Sequence, residues 1–239
     1  MTIPRPAGPD RAARAPVLIA GAVIASAVLL AVGLFAGALL DKNAEASAPP
    51  TEGSVDVGFS RDMRDHHAQA VEMSVLVREA TDDPEVRGLA LDIMLTQQQQ
   101  VGQMYGWLAA WGVPQASSSP PMTWIRSDGD RDESDEDMAG QSHGSMTMKD
   151  DEPARMPGMA SEAQLAELAQ ARGERAERIY LQLMIPHHQA GVTMAEYASE
   201  RATEPQVRRL AQSIVDSQTA EIKVLTSMLD SRGGPVGGV

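Results

Sequence analysis

The chain reads as all-α: a four-helix bundle built from two duplicated helical hairpins, behind an N-terminal transmembrane helix. Three observations predict this. Aromatics make up 3% of the 239 residues, and runs of Val, Ile and Thr with period-2 alternation are absent, which disfavours a sheet. Two stretches, 54–112 and 161–233, are dense in helix formers. Shifting the sequence by 121 positions aligns Phe59–Gly112 with Tyr180–Gly233 without a gap, with 15 identities over 54 positions.

Taken in order, residues 1–15 carry Arg5, Arg11 and Arg14 against one acid, Asp10, and form a cytoplasmic tail. Pro16 to Leu40 contains no charge. Roughly 20 apolar residues suffice to cross a bilayer as a helix. The preceding arginines place the N-terminus in the cytoplasm and the rest of the chain outside. A cleaved signal is the alternative, because Ala44-Glu45-Ala46 and Ala46-Ser47-Ala48 resemble cleavage sites, but signal cores are usually about 7–15 residues. The length favours an uncleaved anchor over 16–40. Residues 41–53 form a polar tether.

The first hairpin spans 54–112. Asp82-Asp83-Pro84 supplies a cap and a proline at the first helical position, and Gly112 stops the second helix. In the second hairpin, 161–233, Thr203-Glu204-Pro205 and Gly233 do the same. Ser161 to Gln164 reads as a capping box that opens its first helix. The helices are expected over 55–81, 84–111, 162–202 and 205–231. Each hairpin has an apolar stripe that it cannot bury alone, so the two pack together. The linker between them, 113–160, is acidic and rich in Ser, Pro and Asp, and is expected to be largely disordered.

The net charge of −13 and the lack of a basic stripe disfavour nucleic-acid binding. The chain has no cysteine, which excludes disulfides, thiolate metal sites and Cys nucleophiles. It has 14 methionines, and its five histidines all fall in the repeats or the linker. Each repeat carries Met-x-x-His-His-x5-Met. On a helix, residues at i, i+3, i+4 and i+7 share a face. Met63, His66 or His67, and Met73 therefore line one stripe. Met184, His187 or His188, and Met194 line its equivalent. Imidazole with thioether suits Cu(I), with Cu(II) or zinc gaining as the imidazole count rises; iron fits less well. Calcium or magnesium would need carboxylates.

Gln97 and Gln218 interrupt the apolar stripes of the second helices at matching places. Counting out from the hairpin turn puts them near the height of the histidines. They are expected as a second shell around the imidazoles, or with a metal between. Pro186 inside the third helix predicts a kink or a loosened turn. His143, Met146 and Met148 in the linker are candidates for auxiliary metal capture. A His–Gln layer that only sets bundle register is the alternative to metal binding.

The stretch Leu183-Met184-Ile185-Pro186-His187-His188-Gln189-Ala190, with Met194-Ala195-Glu196 and Gln218-Thr219-Ala220-Glu221-Ile222, resembles the signature of domain-of-unknown-function family 305. Met63-Arg64-Asp65-His66-His67-Ala68-Gln69-Ala70 and Met73 resemble its other half, with Asp65 departing from the proline of the second motif. The resemblance covers nearly all of 55–231. It implies an exported, ferritin-like four-helix bundle with members associated with copper. It carries over Met63, His66, His67, Met73, Met184, His187, His188 and Met194 as metal ligands.

The expected function is extracytoplasmic copper binding, for buffering, storage or transfer, on a single-pass membrane protein. One alternative is a ferritin-like di-metal oxidoreductase. That class uses Glu-x-x-His on inward faces, which this sequence lacks. The other is a non-metal interaction module held by the membrane anchor. No catalytic residue is assigned.

Overall fold

The computed structural model describes residues 48–127 and 156–239. The expected anchor over 16–40, and His143, Met146 and Met148, lie outside these residues. Among the described residues, no helix is long and apolar enough to cross a membrane.

The described chain is all-helical. Helix α1 is Val55–Ala80, α2 is Pro84–Trp111, and α3 is the short Thr123–Ser127. They are followed by α4 (Glu162–Gln170), α5 (Gly173–Arg201) and α6 (Pro205–Ser231). The ends follow the local chemistry. Ser54 Oγ accepts from Val57 N at the start of α1. Asp83 Oδ1 accepts from Glu85 N and Val86 N, with Pro84 leading α2. Gly112, at φ 71°, closes α2 in the left-handed conformation that glycine adopts without a Cβ penalty. Ser161 and Gln164 form the capping box.

The helix expected over 162–202 is two helices. Ala171 and Arg172 are extended, at ψ 157° and 154°, and Gly173 has a positive φ of 56°. Gly173 is the one local signal of this break in the sequence. Before it α4 packs onto α1, burying Leu168 and Ala171 in the core. Pro186 does not interrupt α5, which stays helical through it.

α1 packs along α2, α5 packs along α6, and the two hairpins meet through α1 and α5. The core falls into two apolar clusters. One gathers Met73, Val77, Val86, Ile93, Ile179, Tyr180, Met184 and Leu225. The other gathers Phe59, Met63, Met104, Trp124, Met194, Val207 and Ile214. Each draws on all four long helices. His66, His67, His187 and His188 come between these sets along α1 and α5, and all four are fully buried.

Carboxylates at the starts of α1 and α5 tie each hairpin to the other's turn. Asp56 accepts from Thr203 N at 3.0 Å, Thr203 Oγ1 at 2.9 Å and Glu204 N at 2.8 Å, thereby capping α6. Glu177, 121 positions later, accepts from Thr81 Oγ1 and from Arg232 Nε, the latter at 2.8 Å. Arg232 also reaches Asp83 at 3.1 Å.

The ends of the linker belong to this packed structure. Trp124 of α3 lies over Gly58, where a Cβ would come within 2.3 Å of the indole. Its Nε1 donates to Asp62 Oδ2 at 2.7 Å. Residues 156–160 cross the seam between α1 and α5. Gln69 clamps Ala160 through both of its backbone groups, at 2.7 and 3.0 Å.

Candidate metal centre

The structure gathers the four expected histidines into one buried layer. The His66 and His187 rings lie face to face across the α1–α5 seam, with centroids 3.7 Å apart and planes tilted by 30°. His188 follows His187, with ring centroids 6.3 Å apart.

Each imidazole is held through Nε2 by an oxygen. His66 Nε2 lies 3.3 Å from Pro157 O, and His187 Nε2 lies 3.0 Å from the backbone carbonyl of His66. His67 Nε2 lies 2.7 Å from Gln100 Oε1, and His188 Nε2 lies 2.7 Å from Glu221 Oε2. Carbonyl and carboxylate oxygens only accept, so Nε2 carries the proton on His66, His187 and His188, and on His67 with the Gln100 amide oxygen turned to it. Burial keeps three of the rings neutral: desolvation pushes His66 down to about 4, His67 down to about 3, and His187 well below its ordinary value. In a neutral imidazole with Nε2 protonated, Nδ1 holds a free lone pair. All four Nδ1 atoms are buried with no hydrogen-bond partner. This is the arrangement of a metal-ligating histidine, whose second nitrogen is oriented by an oxygen acceptor.

The methionines flank this layer. Met63 and Met194, joined by Met104, lie in one apolar cluster; Met73 and Met184 lie in the other. All are buried. Among the described residues, no group of three or more His, Cys, Asp or Glu is arranged as a metal cage. A metal here would draw on imidazole and thioether together.

Gln97 and Gln218 are buried at this level as expected, but they do not hold the histidines. Both ends of both amides lack a partner. A Cβ on Gly191 would lie 2.4 Å from Gln218 Oε1, so glycine is what lets Gln218 lie against α5. The partners of His67 and His188 are Gln100 and Glu221, one turn further along α2 and α6. The signal for them was the repeat itself, since positions 100 and 221 are also 121 apart and both are polar.

The segment 156–160 seals the layer from one side. Pro157 O fixes the His66 tautomer. Gly158, at φ 74°, sits so close to α5 that a Cβ would lie 2.4 Å from Pro186 O and 3.1 Å from His187 Cα.

The model of the domain of unknown function DUF305 matches residues 56–229. The chain belongs to the DUF305 family. A DUF305 protein from Streptomyces coelicolor, named as a secreted protein, has a solved structure that is 42% identical. It aligns over 79% of this chain and 100% of that one, with a TM-score of 0.65. CopM in its Cu(I)-bound form is 25% identical over 75% of this chain and 98% of that one, at a TM-score of 0.53. Its Cu(II)-bound form is 26% identical over 74% and 96%, at 0.51. Uncharacterized protein L153 of Acanthamoeba polyphaga mimivirus is 39% identical over 56 residues, which cover 23% of this chain. The match spans 37% of that curated relative's length.

Proposed function

We propose that this DUF305 chain is an extracytoplasmic copper-binding protein that buffers, stores or passes on the metal from a ferritin-like four-helix bundle. The observation that carries the reading is the set of four buried imidazoles with every Nε2 engaged by oxygen and every Nδ1 lone pair unpartnered. A buried polar atom without a partner costs about 1–3 kcal/mol. A layer that served only as a hydrogen-bonding register would pair these atoms with one another. Here four imidazole lone pairs and two whole amides are left over instead.

The donor chemistry favours copper. Neutral imidazole and thioether are soft-to-borderline ligands that suit Cu(I), and Cu(II) where imidazole predominates. Neither forms disulfides, which suits an oxidising compartment. The ligands would be His66, His67, His187 and His188 through Nδ1, with Met63, Met73, Met184 and Met194 on either side. CopM, bound to Cu(I) and to Cu(II) in its solved forms, supports the assignment. The Streptomyces coelicolor relative supports export, and the apolar stretch 16–40 with its preceding arginines is the sequence feature behind a retained single-pass anchor.

Titration of the full chain with Cu(I) against a competing chelator tests this. Wild type is expected to take copper from the chelator, and His67→Ala with His188→Ala is expected to lose most of that capacity. Replacing Met63, Met73, Met184 and Met194 by Leu preserves core volume, so it separates lost ligands from lost folding. Failure of wild type to compete would overturn the copper reading.

A further inference from the structure

The two halves of the histidine layer are geometric counterparts that differ in one charge. His67 on α1 is held by Gln100 on α2, and His188 on α5 is held by Glu221 on α6. Both bonds are 2.7 Å long and both join residues 33 positions apart. The four residues map onto each other under the same 121-residue shift. Both rings are fully buried, and both Nδ1 atoms lack a partner. The contrast is in what holds Nε2. Gln100 offers a neutral amide oxygen from a buried side chain, whereas Glu221 offers a carboxylate whose side chain is 25% exposed.

That difference has two chemical consequences at Nδ1. First, a carboxylate has no proton to give when ionised, so Nε2 of His188 must be the donor, and in the neutral ring the lone pair then lies on Nδ1. An amide can turn over and offer its NH2 group instead, so Gln100 leaves His67 the choice of tautomer. Second, a carboxylate behind an imidazole makes the ring a stronger donor and adds a negative charge close to any ion on the far nitrogen. The Coulomb part scales with the charge of the ion, so a divalent ion gains twice what a monovalent ion gains. Bringing an ion of charge two into a buried neutral layer also needs more compensation.

We propose that Glu221 makes the His188 half of the layer the divalent-preferring half-site, while the neutral Gln100 leaves the His67 half suited to a monovalent ion. Glu221 acts through His188 as a positioning and charge-setting residue. The inference rests on the metal reading above, and it assigns the chain two unequal half-sites.

The test uses the full chain with two closed-shell probes that do not change oxidation state, Ag(I) and Zn(II), each in competition with a chelator. Glu221→Gln keeps the size of the side chain and removes the charge. It is expected to weaken Zn(II) binding by about 10–100-fold, the usual range for loss of a partner behind a ligand. Ag(I) is expected to weaken only by roughly the square root of that factor, because the Coulomb term is halved. Gln100→Glu is expected to strengthen Zn(II) more than Ag(I). In a His188→Ala background, Glu221→Gln is expected to change neither.

An equal fold-change for the two ions in Glu221→Gln, or an unchanged Zn(II) to Ag(I) ratio in both variants, overturns the selectivity assignment while leaving metal binding standing. Failure of wild type to bind either ion overturns the metal reading itself.

Discussion

Three of the four imidazoles in the layer carry pKa values pushed below the ordinary one by burial, and this makes stability depend on pH with a definite sign. His66 titrates near 4 and His67 near 3 in the folded chain, against 6.5 for a free side chain. His187 shifts the same way. Between those values the unfolded chain binds more protons than the folded one, so stability rises with pH there. Their contribution is complete above about pH 6.5 and is lost as pH falls towards 4 and then 3. The expected outcome is a melting temperature that is flat above about pH 7 and drops steeply below 6, followed by circular dichroism in metal-free buffer. His66→Gln with His67→Gln should shallow that slope. The same residues mark how far sequence alone reached. The His and Met positions were legible because the repeat displays them twice. Gln97 and Gln218 were singled out by counting residues along straight helices from the turn. The side chains that meet the rings are Gln100 and Glu221, one turn further on. A count of heights resolves a layer but not which turn within it makes the bond.

At the level of elements, hairpin ends are held by residues from the other hairpin. Asp56 caps α6 although 147 positions separate it from Thr203. Asp56→Ala is expected to lower stability by about 1–2 kcal/mol, as loss of an N-cap does. A double-mutant cycle with Thr203→Ala should give a coupling energy, whereas additive effects would show that the cap is not made. The strap at 156–160 makes a sharper claim. Gly158→Ala adds a Cβ both at a positive φ and against Pro186 O. It is expected to cost about 1–3 kcal/mol and to speed hydrogen exchange at the backbone of 156–160. Wild-type stability in this variant would mean the strap does not rest on α5. Neither device could be read from periodicity. Caps, turn prolines and terminal glycines were legible because they are local, while the strap depends on contacts across the fold.

Across the whole molecule, a polar layer lies between two apolar cores, and the hairpins are tied at opposite ends by Asp56 and Glu177. Glu177 is buried and relies on Arg232 and Thr81. Arg232→Ala leaves that carboxylate without its cation and is expected to cost about 3–5 kcal/mol by chemical denaturation. Glu177→Gln with Arg232→Met should recover much of the loss. The all-helical class, the hairpin pairing and the shared level of the histidines followed from composition and the 121-residue shift. Which helices meet at the seam did not follow, because both helices of each hairpin carry a similar stripe and packing chooses between them.

Metal binding in this layer requires buried Nδ1 lone pairs that are free to coordinate while Nε2 stays protonated on oxygen. Nitrogen-15 NMR of histidine-labelled protein reads both atoms directly. Before metal is added, Nε2 is expected to carry a proton in His66, His187 and His188, whose oxygen partners only accept. On titration with Ag(I), the Nδ1 resonances should shift while the Nε2 protons remain. Protonated Nδ1 atoms at neutral pH, or Nδ1 resonances that do not move when silver is added, would contradict it.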